Sequence, residues 1–449
     1  MTDNSAPTPG AGEPPVADSK PHRKHASMPL REWLAPITLV TVLAALLGTM
    51  YLGYTADPEK HLHDFPIALV NQDVGDTLDG TPTNIGDQIT TALSENIPAD
   101  KIDLRTVGLN EAQRQLQNGE VYGAIVIPGD FTKRVAILGT ASVVPGEIEQ
   151  PIISVLTNPR AGTLAAQIMQ TIADQAMDEV NSTVGAQLTG QVQAAVGDTP
   201  LSGAAQLQLT TPIDVVVTAY HPLPEGTGQG LAAFFYTLVL LIVGFSGAMM
   251  INSLVDASLG FIPAEYGPWH KPTPPAPISR WRTLLIKWGI AAISAPIASA
   301  VFLGIGAALN MSIEQPLLLF LYGTLAIAAI AITGLSVMAA FGTAGLMINL
   351  IVFVVLGIPS SSGTIPLEAT PRWIADMATF EPMHQIYLAV RAILFFDGHL
   401  EAGLSQGLWM TLAGLAIGLI LGAVATHTYD LRGLHRLGIE HRREPARAD

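Results

Sequence analysis

LAPITLVTVLAALLGTMYLGY, Leu34–Tyr54, runs for 21 residues without a charged side chain. About 20 apolar residues suffice for a helix to cross the hydrocarbon core of a bilayer, so this stretch reads as a transmembrane span. Its apolar core is too long for a cleaved signal peptide, and no small-residue cleavage pattern follows it. It reads as an uncleaved anchor. Five more apolar stretches follow, at 231–255, 283–309, 316–341, 342–358 and 405–427. The fifth is short and would have to stand upright or sit in thin membrane.

Composition agrees. Of the 449 residues, 49% are hydrophobic and 13% charged, roughly half the charged share of a soluble domain. A cytosolic globular enzyme is therefore excluded. The absence of cysteine excludes disulfides, thiolate metal sites and cysteine nucleophiles.

The net charge of −15 is not spread evenly. Residues 55–230 hold 21 acids and 7 bases, and the rest of the chain holds 16 and 15. Bases cluster before the first span (Lys20, Arg23, Lys24, Arg31), between the second and third (Lys271, Arg280, Arg282), and after the sixth (Arg432, Arg436, Arg442, Arg443, Arg447). With six spans these regions share one side, which the distribution of Lys and Arg marks as cytoplasmic. Both termini are expected there, and residues 55–230 outside. The acidic balance speaks against a nucleic-acid partner.

The expected architecture is an α-helical membrane protein of six transmembrane helices with an extracytoplasmic α/β domain inserted between helices 1 and 2. Residues 1–30 read as a disordered tail, 31–54 as the first span with an interfacial start at Trp33, and 55–230 as the inserted domain. Residues 231–427 form the five-helix membrane part, and 428–449 a basic tail. In the inserted domain, Phe65–Asp73, Lys101–Val107, Val121–Pro128, PIISVLTN and Thr211–Leu223 read as strands. GDQITTALSENI reads as a helix. A second helix is expected with Asn110 as N-cap and Gly119 as stop, and a long one over Ala161–Gln193 with a break near Gly185. The connection FIPAEYGPWHKPTPPAPISRWR reads as a Pro-rich, semi-rigid linker.

These features resemble a family. VNQD (Val70–Asp73), GEVYGAIVIPGDF (Gly119–Phe131) and the order of one span, a large domain and five spans look like the phage-infection-protein (Pip/YhgE-type) branch of the type-2 ABC permease superfamily. That branch is similar to the nitrosoguanidine-resistance membrane proteins. Residues 359–404 add to the likeness: Pro359, Gly363, Pro371, Trp373, Pro382, Tyr387 and Arg391 match the turn and the two short outer helices that precede the sixth span of such permeases. The resemblance implies a bacterial plasma-membrane protein that exports a hydrophobic compound, a lipid or an envelope component, working as a homodimer or heterodimer. The alternative is a non-transporting envelope receptor or scaffold.

A P-loop needs Gly-x4-Gly-Lys-Ser/Thr, and none of the seven lysines follows a glycine. ATP hydrolysis would then come from a separate subunit, docking on Lys271, Arg280 and Arg282. No cofactor or catalytic set is expected. The stretches read as spans one, two and four to six hold no Asp, Glu, Lys or Arg, which argues against a proton relay. Gly414, Gly418 and Gly422 share one face of the sixth span and suit close helix packing, within the chain or between copies. Lys287 reads as a snorkelling base and Asn349 as an interhelical hydrogen-bonding group. His61, His63 and Asp64 read as solvated surface. Ser360–Ser362 with His384 lack a nucleophile elbow and read as a turn. Pro359, Gly363, Glu381, Pro382 and Arg391 are the candidate gate, with Glu381 paired to Arg391 or to solvent.

Overall fold

The structure, a computed structural model, describes residues 30–55, 57–78, 81–141, 149–197, 201–271, 273–434 and 436. The expected disordered tail and most of the basic tail lie outside the described residues. Among the described residues, six helices are long and apolar enough to cross a membrane: Pro36–Thr55, Leu231–Ser258, Arg280–Ala308, Pro316–Phe341, Thr343–Ser360 and Leu400–Leu431. The first belongs to α1 (Leu30–Thr55).

After α1 the chain builds a sheet from β1 (Phe65–Asn71), β4 (Ile102–Thr106), β5 (Gly123–Ile127), β6 (Ile152–Thr157) and β7 (Asp214–Ala219). The order is β4-β1-β5-β6-β7, with only the β5–β6 pair antiparallel. Strand β1 is buried from Phe65 to Val70, as expected of a parallel strand covered on both faces. Side chains alternate along it. Phe65, Ile67 and Leu69 meet α2 (Ile85–Asn96), α4 (Phe131–Ala141) and α5 (Thr163–Val196). Ala68 and Val70 meet Ala112 and Leu116 of α3 (Leu109–Gln117) on the other face.

The VNQD segment closes this domain. The Asp73 carboxylate accepts from the amides of Gly86 (3.0 Å) and Thr132 (3.1 Å) and from the Thr132 hydroxyl (2.5 Å). It thus joins the end of β1 to the first turns of α2 and α4, where unpaired amides favour an anion.

Several local expectations change. Gly108, not Asn110, is the N-cap of α3, and Asn110 lies inside the first turn. Gly119 adopts a left-handed φ of 67° just past the helix, as a stop requires. Helix α5 passes Gly185 unbroken. The glycine is there for proximity: a Cβ at 185 would lie 2.5 Å from the Leu209 carbonyl at the end of α6 (Gly203–Thr210). Helices α4 and α6 and the hairpin of β2 (Asp76–Leu78) and β3 (Thr81–Thr83) are additions to the sequence reading. The Pro-rich linker likewise contains a hairpin, β8 (Ala264–Tyr266) with β9 (Trp269–Lys271).

In the helical part, α9 (Pro316–Phe341) is central and packs on α7 (Leu231–Ser258), α8 (Arg280–Ala308) and α14 (Ser405–Leu431). The fifth candidate span is composite: α10 (Thr343–Leu350), a π-helical turn at Ile351–Val355, and α11 (Gly357–Ser360). Then come α12 (Arg372–Ala378) and α13 (Pro382–Phe395). The described sheet and helices from Gly48 onward form one compact unit, so the sheet-containing segment is not a detached domain.

Candidate functional site

The predicted gate residues gather around α13. Pro359 is buried in α11. Gly363 lies against Phe234 of α7, so closely that a Cβ would collide with the ring. Pro382 occupies the first turn of α13, where its missing amide costs nothing. Glu381 is the N-cap of that helix and accepts from the His384 amide at 2.9 Å. Glu381 and Arg391 are therefore not paired, and neither is solvated: ten residues of helix put them about 15 Å apart, and both are buried.

Arg391 turns toward the sheet domain. Its Nη1 donates to the Ala161 carbonyl at 3.0 Å, and its guanidinium lies over the rings of Tyr387 (5.8 Å) and Phe396 (5.6 Å). The exchange is reciprocal, because Arg160 Nη1 donates to the Phe395 carbonyl at 2.8 Å. The carbonyl just after Arg160 thus receives Arg391, a carbonyl one turn beyond Arg391 receives Arg160, and the end of α13 is held to the turn before α5.

A second tie lies between β5 and the segment preceding α12. Tyr122, stacked on Phe65 at 4.7 Å, donates its hydroxyl to Glu368 Oε2 at 2.8 Å. Burial pushes both groups up: the Tyr122 phenol stays protonated and able to donate, and the Glu368 carboxyl lies above the usual range. His63 donates its amide to the Glu368 carbonyl at 2.7 Å. Tyr54, near the end of α1, hydrogen-bonds Thr364. Ile365, Ala369 and Ile374 complete the apolar contact by joining the core that holds Phe65, Ile67 and Leu69.

The serine cluster comes near His384, with Ser362 Oγ 3.2 Å from its Nδ1. The nearby carboxylate of Glu381 binds the histidine amide, not the ring, so it does not orient the imidazole. His63 Nδ1 faces the His61 carbonyl at 2.8 Å, and Asp64 pairs with exposed Arg372 at 3.0 Å. Among the described residues no three His, Asp or Glu side chains gather as metal ligands.

The candidate docking bases divide. Lys271 and Arg282 are exposed. Arg280 turns toward the end of α14, with Nε bonded to the Leu434 carbonyl and its guanidinium over the Tyr429 ring. Its amide and that of Trp281 are capped by Asp430, each at 3.0 Å. Lys287 does not snorkel. It pairs with Asp256 at 2.6 Å and bonds Asn252 at 2.7 Å. Asp256 is a correction to the sequence reading: α7 extends to Ser258 and carries this acid inside the candidate span.

Gly418 lies against Thr333 and Gly422 against Ser336, Trp288 and Leu284, whereas Gly414 faces open space. Asn349 donates to the Gly334 carbonyl at 3.0 Å, linking the fifth span to α9. Sequence reasoning missed Tyr122, Arg160 and Glu368. Arg160 did leave a signal, as the last base before a stretch free of Lys and Arg up to Lys271.

Comparison with known proteins gives a family and a relative. Residues 36–417 match the family model DUF3533, described as a protein of unknown function. The chain is similar to the uncharacterized protein YhgE of Bacillus subtilis (strain 168), with 24% identity over 169 residues. That alignment covers 37% of this chain and 20% of the relative, so only about a fifth of the relative's length is represented. No solved structure matches.

Proposed function

This chain belongs to the DUF3533 family, and from that premise we propose that it is the membrane subunit of an exporter. It would move a hydrophobic compound, a lipid or an envelope component outward across a bacterial plasma membrane. A separate subunit would hydrolyse ATP, and two membrane subunits would form the path. Both termini would be cytoplasmic and the sheet domain outside.

The observation that supports this reading is the double tie between the sheet domain and the outer segment, at α13 and at the turn before α12. A receptor domain needs only an anchor. Here the crossed arginine bonds attach the domain to α13, a short helix packed against α7, α9 and α14, and the Tyr122–Glu368 bond attaches it to the turn before α12. A movement of those spans would reach the sheet domain through α13. On the opposite side of the proposed membrane, Lys271 and Arg282 are the exposed bases that an ATPase would meet. Asp256 does not favour proton drive, because it is already neutralised by Lys287 and Arg436.

The test is deletion of the gene, followed by a screen for sensitivity to lipophilic compounds and by lipid profiling. Export predicts a change in at least one. It also predicts an ATPase that co-purifies with the chain and is lost when residues 256–282 are replaced. An unchanged phenotype with no ATPase would turn the reading toward a receptor or scaffold.

A further inference from the structure

Helices α2 and α5 lie side by side on the sheet domain and leave a trough between them. Its volume is about 650 Å3, within the ~300–1,000 Å3 usual for small-molecule sites. The walls are mainly aliphatic, with Ile89 and Leu93 on α2 and Ile168, Ile172, Val180 and Val184 on α5, interspersed with uncharged Gln, Asn and Thr side chains. No aromatic ring lines it, so it offers no face for stacking a planar ligand. The lining runs from Ile85 to Asn96 on one side and from Ile168 to Gln187 on the other. At 1.5 Å per residue these are lengths of about 16 and 28 Å. Spread over such a length, the volume suits one extended chain and not a compact polycycle.

The polar groups at the margin are unequal. Glu59 and Glu179 are exposed carboxylates, and Lys101 is the single base. The surrounding residues 55–230 carry 21 acids against 7 bases, so the field favours a cation. The trough also begins close to where a bilayer would end, since Glu59 and Leu62 follow α1 by only a few residues. Protein interiors are otherwise close-packed. An aliphatic trough of this size is a place where an apolar chain gains by leaving water.

We infer that the trough binds a single-chain cationic amphiphile, with its alkyl tail between α2 and α5 and its positive headgroup at the acidic margin to which Glu59 and Glu179 contribute. This binding does not depend on the export reading; only the naming of the ligand as cargo would.

The experiment uses the full chain in nanodiscs of zwitterionic lipid, without nucleotide or partner. The probes are dodecyltrimethylammonium and dodecyl sulfate, each with a photoreactive diazirine on the tail, and adducts are mapped by mass spectrometry. The cationic probe should label peptides from 85–97 and 168–187, saturably, and be displaced by unlabelled dodecyltrimethylammonium. It should exceed the anionic probe by about threefold, a preference that Glu59→Gln with Glu179→Gln removes. Ala176→Trp or Ile172→Trp should cut labelling about tenfold by filling the trough, with unchanged melting as the control for folding. Labelling that does not saturate, that favours the anionic probe, or that persists in a folded tryptophan variant would overturn the inference.

Discussion

Lys287 of α8 lies 2.6 Å from Asp256 of α7, and each side chain is 5% exposed. Arg436 reaches the same Asp256 oxygen at 2.5 Å. The cluster is asymmetric: the acid has two basic partners, and the lysine has one acid. Removing one partner of a buried pair costs about 3–5 kcal/mol because the other charge is stranded. Asp256→Asn should therefore lower thermal stability more than Lys287→Met, which leaves Arg436 to neutralise the acid. Melting of the purified variants checks this; an equal or larger loss in Lys287→Met would show that Arg436 contributes nothing.

Arg391→Met keeps most of the side-chain volume and removes the charged donor to Ala161. Hydrogen bonds from charged groups are worth about 1.5–3 kcal/mol, and a stability loss of that order is expected. The more specific result is local. Hydrogen exchange should accelerate around residues 160–164 and in the last turn of α13, and, on the export reading proposed above, export should fall at unchanged protein level. Protection that stays at the wild-type level would remove Arg391 from the tie.

The N-terminal turn of α13 should respond to pH in two opposing ways. Burial raises the Glu381 carboxyl to about 7 and lowers the His384 imidazole to about 4. For Glu381 the folded chain keeps a proton that the unfolded chain has released, so stability present below pH 4.5 is lost as pH rises to about 7. For His384 the unfolded chain holds the extra proton, so stability grows from about pH 4 to 6.5. Each effect is of order 3 kcal/mol, and they nearly cancel in the native chain. Relative to that chain, Glu381→Gln should tilt stability upward with pH and His384→Asn downward. Glu368, also raised by burial, adds the same falling limb to both variants. Unfolding measured between pH 4.5 and 6.5 decides, and equal slopes would refute the assignment.

Asp73 bridges three structural elements through its carboxylate. Asp73→Ala leaves the buried amides of Gly86 and Thr132 without an acceptor, at about 1–3 kcal/mol for each unpaired group. Proteolysis within residues 57–230 should become faster, and cleavage in the helical part should not.

The glycine stripe of α14 should split in two. Gly422→Ala sets a methyl 2.7 Å from both Ser336 Oγ and Trp288 Cζ2, and overpacking of this kind costs about 1–3 kcal/mol. Gly414→Ala meets nothing within 4 Å and should gain about 0.5–1 kcal/mol from helix propensity. Paired melting curves test the contrast.

The spans were legible because a long apolar run has few alternatives to burial in lipid. FPIALV and GAIVI were legible as strands because Pro, Gly and Asp punctuate their ends. Boundaries were less so: the second span was read one residue short of Asp256, and that residue decides whether Lys287 is paired. The tie between sheet and helices was not legible at all. Tyr122 and Glu368 are 246 positions apart, and Arg391 and Ala161 are 230 apart. Local patterns carry no record of such pairs. Gly185 misled for a related reason, since the space it leaves serves a neighbouring segment and not its own helix.

Ile365, Ala369 and Ile374 belong to the core of a domain whose strands end at Ala219. During synthesis those strands leave the ribosome long before their last core residues exist. From residue 230 to residue 365 a ribosome working at ~5–20 residues per second needs about 7–27 s. For that interval the half-made chain exposes apolar surface on a nearly finished sheet. Insertion of the second to fifth spans is then the step that permits the domain to close, so a chain stalled or cut before residue 365 presents an open sheet to proteases and chaperones. The core of the sheet is thus complete only once the second to fifth candidate spans have been made.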